Sequence, residues 1–309
     1  MIGTKAPAPS TAQIGVLVAI SIFAWSFGPI CVRFAFQYDL PPALVAFGRM
    51  FTGMLIFAPY IWYRGWSEIR AMPARSRWLA GTAGTLFGIN ITLMATSLTH
   101  ISIMINQALI ATIPIWVAVF EVTLLKGALS RAIWAGIGVA LAGGLVVAFA
   151  SSTAPAIVEG GNPGLGVLLA AISACSAALY ITIGRKVRST TSFIPYIWLV
   201  YTAGSSVTLI IIGLSQVSLI GYDIRGYLWV LLLAILAQII GHGVLNYVLK
   251  YVSPTVITVT AQVMPVLAAI WALVIFSEIP TAWQLLGSAL LLAGVTIVLR
   301  GQSSRGPTD

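Results

Sequence analysis

Three polar side chains recur at every fourth position in an apolar stretch of the second half of the chain. Gln238, His242 and Asn246 are spaced so that they share one face of an α-helix. Amide and imidazole groups are costly in an apolar medium unless they form hydrogen bonds or contact water. The stripe therefore predicts either hydrogen bonds between helices or the wall of a hydrated cavity. We favour the cavity, because three such groups on one face exceed what helix packing requires.

A second set of polar residues precedes two prolines at matching positions. Gln107 lies before Pro114, and Thr258 and Gln262 lie before Pro265. A proline inside a helix leaves the carbonyl four residues earlier without its usual donor. Such a carbonyl can bind a cation, a water molecule or a neighbouring side chain, although a proline can also serve only to kink its helix. The matching positions favour a second polar stripe that faces the same cavity.

Other residues within apolar stretches are further candidates for the cavity wall, with core packing as the alternative for each: Trp25, Asn90, Asn106 and Tyr180. Arg49 has three alternative environments. It can pair with Asp39, extend toward water along its aliphatic stem, or face the cavity. Together with the two polar stripes, these positions predict a small-molecule site built from amide, imidazole, hydroxyl and indole groups.

The chain offers a poor set of residues for catalysis or metal binding. Its two histidines, His100 and His242, are far apart in the sequence, and its two cysteines, Cys31 and Cys175, both lie in apolar stretches. A nucleophile with its base, or a metal cluster, needs several such groups together. We therefore predict no catalytic residue, no metal and no cofactor, and we interpret the cysteines as small packing residues.

The composition identifies the elements that must position these residues. Hydrophobic residues make up 59% of the 309 residues and charged residues 7%, with a mean hydropathy of +1.01, whereas soluble domains carry about 25% charged residues. The apolar stretches are long and continuous, which predicts an all-α integral membrane protein and not a barrel. Ten stretches are predicted to span the membrane: 13–36, 42–62, 78–98, 102–124, 131–150, 164–184, 193–214, 226–248, 255–276 and 281–300.

The two halves of the chain carry one pattern at a constant offset of 151 residues. Pairs of the rarer residue types coincide, such as Gly53 with Gly204 and Trp78 with Trp229. Each half holds five predicted spans, and an odd number inverts the second half relative to the first. The predicted organisation is a tail, two repeats and a second tail, at 1–12, 13–150, 164–300 and 301–309. Inverted repeats around a central site are the architecture of many secondary transporters.

The positive charges are spread over loops and are not gathered on one face, as they are in proteins that bind nucleic acid. Thirteen of the 16 Lys and Arg residues fall in the two tails and in alternate connections. The positive-inside rule then predicts that both termini are cytoplasmic. The predicted partners are the lipid bilayer and a small-molecule substrate, with no nucleic acid, and the predicted assembly is a monomer or weak homodimer.

Several motifs recur at family-like spacings. Each half has a proline in its fourth span and the sequence Leu-Ala-Gly near its end, at 141–143 and 292–294. The second half adds Glu278, Thr281, Gln284, Gly287 and Gly294, and the first half has Arg49. This set resembles the drug/metabolite transporter (DMT) superfamily, and within it the EamA-type exporters of the bacterial inner membrane. One departure is Gly127, which stands where the second half has Glu278, so equal roles for the two loops are in doubt.

The resemblance implies small-molecule transport and, for the nearest members, export of amino acids or related metabolites across the bacterial inner membrane. Proton-driven pumps usually place an acid near the membrane midplane, whereas only Glu121 of the acidic residues maps near the hydrocarbon. We therefore predict alternating access without obligatory ion coupling, and a neutral or zwitterionic solute such as an amino acid, aromatic ones included. The alternatives are a proton-coupled multidrug or metabolite exporter in which His242 titrates, a passive channel, and a membrane-embedded enzyme.

Overall fold

The computed structural model describes residues 10–125, 131–153, 160–188, 191–244 and 263–303, and within these ranges every regular element is a helix. The first half forms α1 (Thr11–Ser26), α2 (Gly28–Phe36), α3 (Pro42–Tyr60), the π-helix π1 (Ile61–Gly65), α4 (Trp66–Ala71), α5 (Ala74–Ser97), α6 (Ile103–Ile110), α7 (Ile113–Leu125) and α8 (Arg131–Thr153). The second half forms α9 (Pro163–Arg188), α10 (Phe193–Leu214), α11 (Ile224–Leu233), the π-helix π2 (Ala234–Gly243), α12 (Val263–Phe276) and α13 (Ala282–Ser303).

Among the described residues, six helical runs are long and apolar enough to cross a bilayer: Ala12–Phe36, Pro42–Ala71, Ala74–Ser97, Pro163–Arg188, Phe193–Leu214 and Ile224–Gly241. Four shorter apolar helices accompany them, at Ile103–Val117, Arg131–Val146, Val266–Phe276 and Ala282–Val298. Large apolar side chains also cover the outside, as in Trp62 and Tyr63, which are 89% and 91% exposed. The prediction of an all-helical, multi-pass membrane protein is confirmed for the described residues, and the count of ten spans stays a prediction.

Two predicted spans are each divided by a short break beside a proline. Phe27 separates α1 from α2, which has Pro29 in its first turn. Residues 111–112 separate α6 from α7, which has Pro114 in its first turn. Proline suits the first turn of a helix, because the N–H that it lacks has no partner there. Each break places helix-terminal backbone groups inside a predicted span, where only protein or enclosed water can satisfy them.

Glycines allow α8 and α13 to pack with their backbones in contact. A Cβ atom on Gly136 would lie 2.8 Å from the Gly294 carbonyl oxygen, and one on Gly294 would lie 2.6 Å from the Ala140 backbone nitrogen. The same occurs between α5 and α10, where a Cβ on Gly88 would lie 2.9 Å from the Gly204 carbonyl oxygen. Small residues at helix interfaces are the usual means of close packing in a bilayer. Both contacts join the first half of the chain to the second.

Candidate functional site

A buried hydrogen bond joins Arg49 on α3 to Gln238 on π2. The Arg49 Nη2 donates to the Gln238 Oε1 at 2.8 Å, and the two residues are 4% and 1% exposed. Since α3 belongs to the first half of the chain and π2 to the second, the bond crosses between the halves. The structure thus places Arg49 in the interior and gives it Gln238, not Asp39, as its hydrogen-bond partner.

No carboxylate among the described residues neutralises the charge of Arg49. Among the described residues, the ionisable side chains that influence its guanidinium are those of Tyr201 and Cys31, residue types that are ordinarily neutral near pH 7. Within the described ranges, the Arg49 Nε and the Gln238 Nε2 have no hydrogen-bond partner. Removing a charged group from water costs several kcal/mol, whereas one hydrogen bond to that group returns about 1.5–3 kcal/mol. The one hydrogen bond therefore does not offset the cost of burying the Arg49 charge, and a purely structural role does not account for the pair.

Gln238 lies in the middle of π2, a π-helix of ten residues. Such segments are rare and are frequent at functional sites. π2 packs against α1, where the Ser21 Oγ donates to the Ile240 carbonyl oxygen at 3.3 Å. A Cβ atom on Gly241 would lie 3.1 Å from the Trp25 Cβ. The predicted site residue Trp25 therefore lies beside π2, the segment that carries Gln238.

A second polar cluster links α5 and α6 around Asn106. The Asn106 Nδ2 donates to the Ser97 Oγ and, at 3.4 Å, to the Met94 carbonyl oxygen. The Gln107 Nε2 donates to the Asn106 Oδ1 at 2.9 Å, and both side chains are buried. The structure thus brings together two of the predicted residues and engages them in a hydrogen-bond chain between helices.

Asn90 and Tyr180 lie at the contact between α5 and α9. The Ser173 Oγ donates to the Asn90 Oδ1 at 2.7 Å. The Tyr180 ring lies 4.8 Å from the Phe87 ring, measured between centroids. In this structure Asn90 therefore serves the contact between two helices, and Tyr180 packs against an aromatic neighbour.

A second arginine, the partly buried Arg33 on α2, has an acidic partner, whereas Arg49 has none among the described residues. Its Nη2 lies 3.3 Å from the Glu278 Oε1 and donates to the Ile101 carbonyl oxygen at 2.6 Å, while the Ile103 N–H donates to the Glu278 Oε2 at 2.9 Å. Burial raises the pKa of the Glu278 carboxyl, and the Arg33 charge and the Ile103 N–H oppose that rise. This Arg33–Glu278 clasp ties together α2, the start of α6 and the connection between α12 and α13.

Four predicted site residues are described incompletely or not at all. His242 lies in π2, where its backbone is described but its side chain is not. Asn246, Thr258 and Gln262 lie outside the described residues. The first polar stripe is thus represented here by Gln238 alone.

Sequence reasoning missed the partner of Arg49 and the clasp. Arg49 and Gln238 are 189 residues apart, and no local spacing indicates that they meet. The one available signal was the presence of Arg49 and Glu278 among the recurring motif residues. The motif identifies these two positions but does not show which residues they contact.

Long apolar helices joined by buried polar contacts define a multi-pass membrane protein. The profile of the EamA-like transporter family matches residues 13–149 and 164–300. The chain therefore belongs to the EamA-like transporter family, as its motifs predicted.

Two further comparisons agree with this assignment. A protein of Bacillus subtilis (strain 168) named "Uncharacterized transporter YdfC" is 25% identical over 288 residues, which cover 92% of this chain and 90% of that protein. A solved crystal structure, described only as that of a protein, matches with a TM-score of 0.63 at 19% identity and covers 94% of this chain and 98% of its own. That likeness shows the shared fold.

Proposed function

We propose that this protein exports small, mostly neutral or zwitterionic metabolites across a bacterial inner membrane, with amino acids, aromatic ones included, as the best candidates. The observation that carries the proposal is the match to a transporter family over both halves of the chain. The chemistry of the interior supports the solute class, because amides, hydroxyls and one guanidinium can hold a zwitterion without a cluster of charges. A phosphorylated solute would instead need several Lys or Arg residues together.

The proposed topology has ten spans in two inverted repeats, at 13–150 and 164–300, with both termini in the cytoplasm. Helices of the two halves pack against one another at the α8–α13 and α5–α10 contacts. Rocking of one repeat against the other around a central site is the usual form of alternating access in such proteins.

The Arg33–Glu278 clasp supplies a contact that alternating access must break. Its residues lie on the side that the charge distribution predicts to be external. At the offset of 151 residues, Arg33 corresponds to Gly184, and Glu278 corresponds to Gly127. The internal side therefore has no ion pair at the equivalent positions of the sequence. We infer that the clasp closes the external side in one conformation and opens when the solute leaves.

The proposed transport needs no obligatory ion gradient, because no acidic residue maps to the membrane midplane. The second candidate is a proton-coupled exporter, and the observation that favours it is that His242 belongs to π2, the same π-helix that carries Gln238.

The proposal is tested by counterflow of labelled amino acids, including threonine, methionine and phenylalanine, in liposomes that contain only this protein. Saturable counterflow is expected, and its rate should not depend on an imposed pH gradient. Flux without saturation or counterflow would indicate a channel. Uphill accumulation driven by the pH gradient would indicate the proton-coupled exporter.

A further inference from the structure

We propose that the Arg49 guanidinium, held in place by Gln238, binds the carboxylate of the transported solute. The inference rests on the proposed transport function and narrows it to solutes that carry one carboxylate. Its starting point is a buried cation whose only hydrogen bond in the described structure goes to a neutral amide.

The unused donors of this pair match a carboxylate in number and shape. A guanidinium has five N–H donors in a planar fork, and Arg49 uses its Nη2 while its Nε has no partner among the residues that the structure describes. The Gln238 Nε2, which has no partner among these residues either, adds two more donors. A carboxylate is bound by a guanidinium through two parallel N–H···O bonds. An incoming carboxylate would thus satisfy the donors and the charge together.

The position of the pair fits a solute site. Arg49 and Cys31 come from the first half of the chain, and Gln238 and Tyr201 come from the second. Along the helix axis, Arg49 lies about 10 Å from the start of α3 and Gln238 about 20 Å from the start of α11. These depths bracket the middle of a hydrocarbon core of about 30 Å. Sites in transporters built from repeats lie near this depth, at the interface of the repeats.

The charges of the interior select a single carboxylate. The partly buried Arg33 is already paired with Glu278. One uncompensated positive charge is neutralised by one carboxylate. A dicarboxylate or a phosphate dianion would carry a second charge into the interior without a partner, so these solutes should be rejected.

The first test measures binding to the purified full-length protein in detergent by thermal unfolding. The ligands are phenylalanine, phenylalaninamide, 3-phenylpropionate and phenethylamine, which differ by single functional groups, with propionate and chloride added as small anions. The two phenyl carboxylates should raise Tm, and the two compounds without a carboxylate should bind about 10- to 100-fold more weakly. Arg49→Gln should remove this preference. Equal binding of the acid and its amide, equal shifts in the variant, or no shift with any carboxylate would overturn the proposal.

The second test uses Gln238→Glu, which keeps the shape of the side chain and places a carboxylate within hydrogen-bond distance of Arg49. We expect this variant to unfold at a higher temperature without ligand and to lose the preference for carboxylates. Gln238→Met is the comparison variant: it leaves Arg49 without an acidic partner but also removes the Gln238 amide. It should therefore weaken binding of the two phenyl carboxylates while they stay preferred over phenylalaninamide and phenethylamine. If Arg49 only tied α3 to π2, Gln238→Glu would change Tm and leave the preference intact, which would contradict the proposal.

Failure of the site and failure of the transport function give different results. If an amino acid shows counterflow with the same KM in the wild type and in Arg49→Gln, the proposed carboxylate site is wrong and the proposed transport function stands. If the protein prefers carboxylates in the thermal assay but shows no counterflow of any amino acid, the proposed site stands and the proposed export of amino acids is wrong.

Discussion

Arg33, which is partly buried, and Arg49, which is fully buried, are arginines of the first half of the chain with opposite surroundings. Arg33 meets Glu278 and a backbone carbonyl, and the carboxylate in turn accepts the Ile103 N–H. Arg49 donates to one amide, and no carboxylate among the described residues lies beside it, although the Nε of each arginine has no hydrogen-bond partner there. The first charge is balanced within the protein, whereas the second is not balanced among the described residues.

This difference in charge compensation distinguishes Arg33, which closes a contact between segments, from Arg49, which is proposed to bind the solute. A compensated pair needs no ligand to balance its charges. An uncompensated cation raises the free energy of the empty protein and lowers it again when an anion arrives. The same residue type therefore serves two purposes, according to whether the fold supplies an acid beside it.

The largest expected effect comes from removing the acid of the clasp. Glu278→Ala should lower the free energy of unfolding by about 3 kcal/mol, because it leaves the partly buried Arg33 without a counterion and the Ile103 N–H without an acceptor. Titration with a denaturant in detergent micelles measures this change. The double variant Arg33→Met, Glu278→Ala should recover most of the loss, and a double variant as unstable as the single one would contradict the account.

The opposite pattern is expected at the other arginine. Arg49→Gln removes a charge that lacks a counterion, so the free energy of unfolding should change by no more than about 1 kcal/mol. Counterflow of carboxylate solutes should nevertheless fall about 10- to 100-fold. Both quantities are measured on one preparation of the variant. A loss of stability as large as that of Glu278→Ala would contradict the proposed difference between the two arginines.

A neutral buried pair should give a smaller effect than either arginine. Ser173→Ala removes the hydrogen bond to Asn90 between α9 and α5. Hydrogen bonds between membrane helices contribute about 0.6 kcal/mol on average. We expect a loss of this size in denaturant titrations and unchanged counterflow. A loss of counterflow without a loss of stability would instead place Asn90 in the solute path.

The smallest effect is expected at an exposed ion pair. Asp223 precedes α11 and accepts from Arg225, with a shortest distance of 2.6 Å, and this hydrogen bond lowers the pKa of Asp223 to about 2. A lowered pKa in the folded state stabilises the protein above the unfolded value of about 3.8 and loses that effect as the pH falls toward 2. Thermal unfolding of wild type and Asp223→Asn between pH 5 and about pH 2 should show a slightly steeper decline for the wild type. Parallel curves would show that the pair contributes nothing.

Several features of the fold were predictable from the sequence for simple physical reasons. In a bilayer, a long continuous apolar stretch satisfies the hydrogen bonds of its own backbone by forming a helix. The described helices begin and end close to the predicted bounds, as α10 does at Phe193 and Leu214. The breaks beside Pro29 and Pro114 follow from the missing N–H of proline. Family membership followed from motif residues that recur in the two halves. These signals are local, or repeat at a constant offset.

The arrangement of the candidate site was less predictable. Asn106 and Gln107 were chosen because they are polar residues in an apolar stretch, and this criterion finds buried polar groups without telling what they contact. The structure engages them with Ser97 and with each other. Asn246, Thr258 and Gln262 lie outside the described residues and remain predictions.

What the sequence alone determined is the apolar helical class, the family and the set of polar residues that must avoid lipid. What only the tertiary structure decided is which arginine has an acid beside it. Both arginines lie in apolar stretches, so hydropathy treats them alike. Their different surroundings arise when distant helices pack, because that packing brings Glu278 to Arg33 and Gln238 to Arg49.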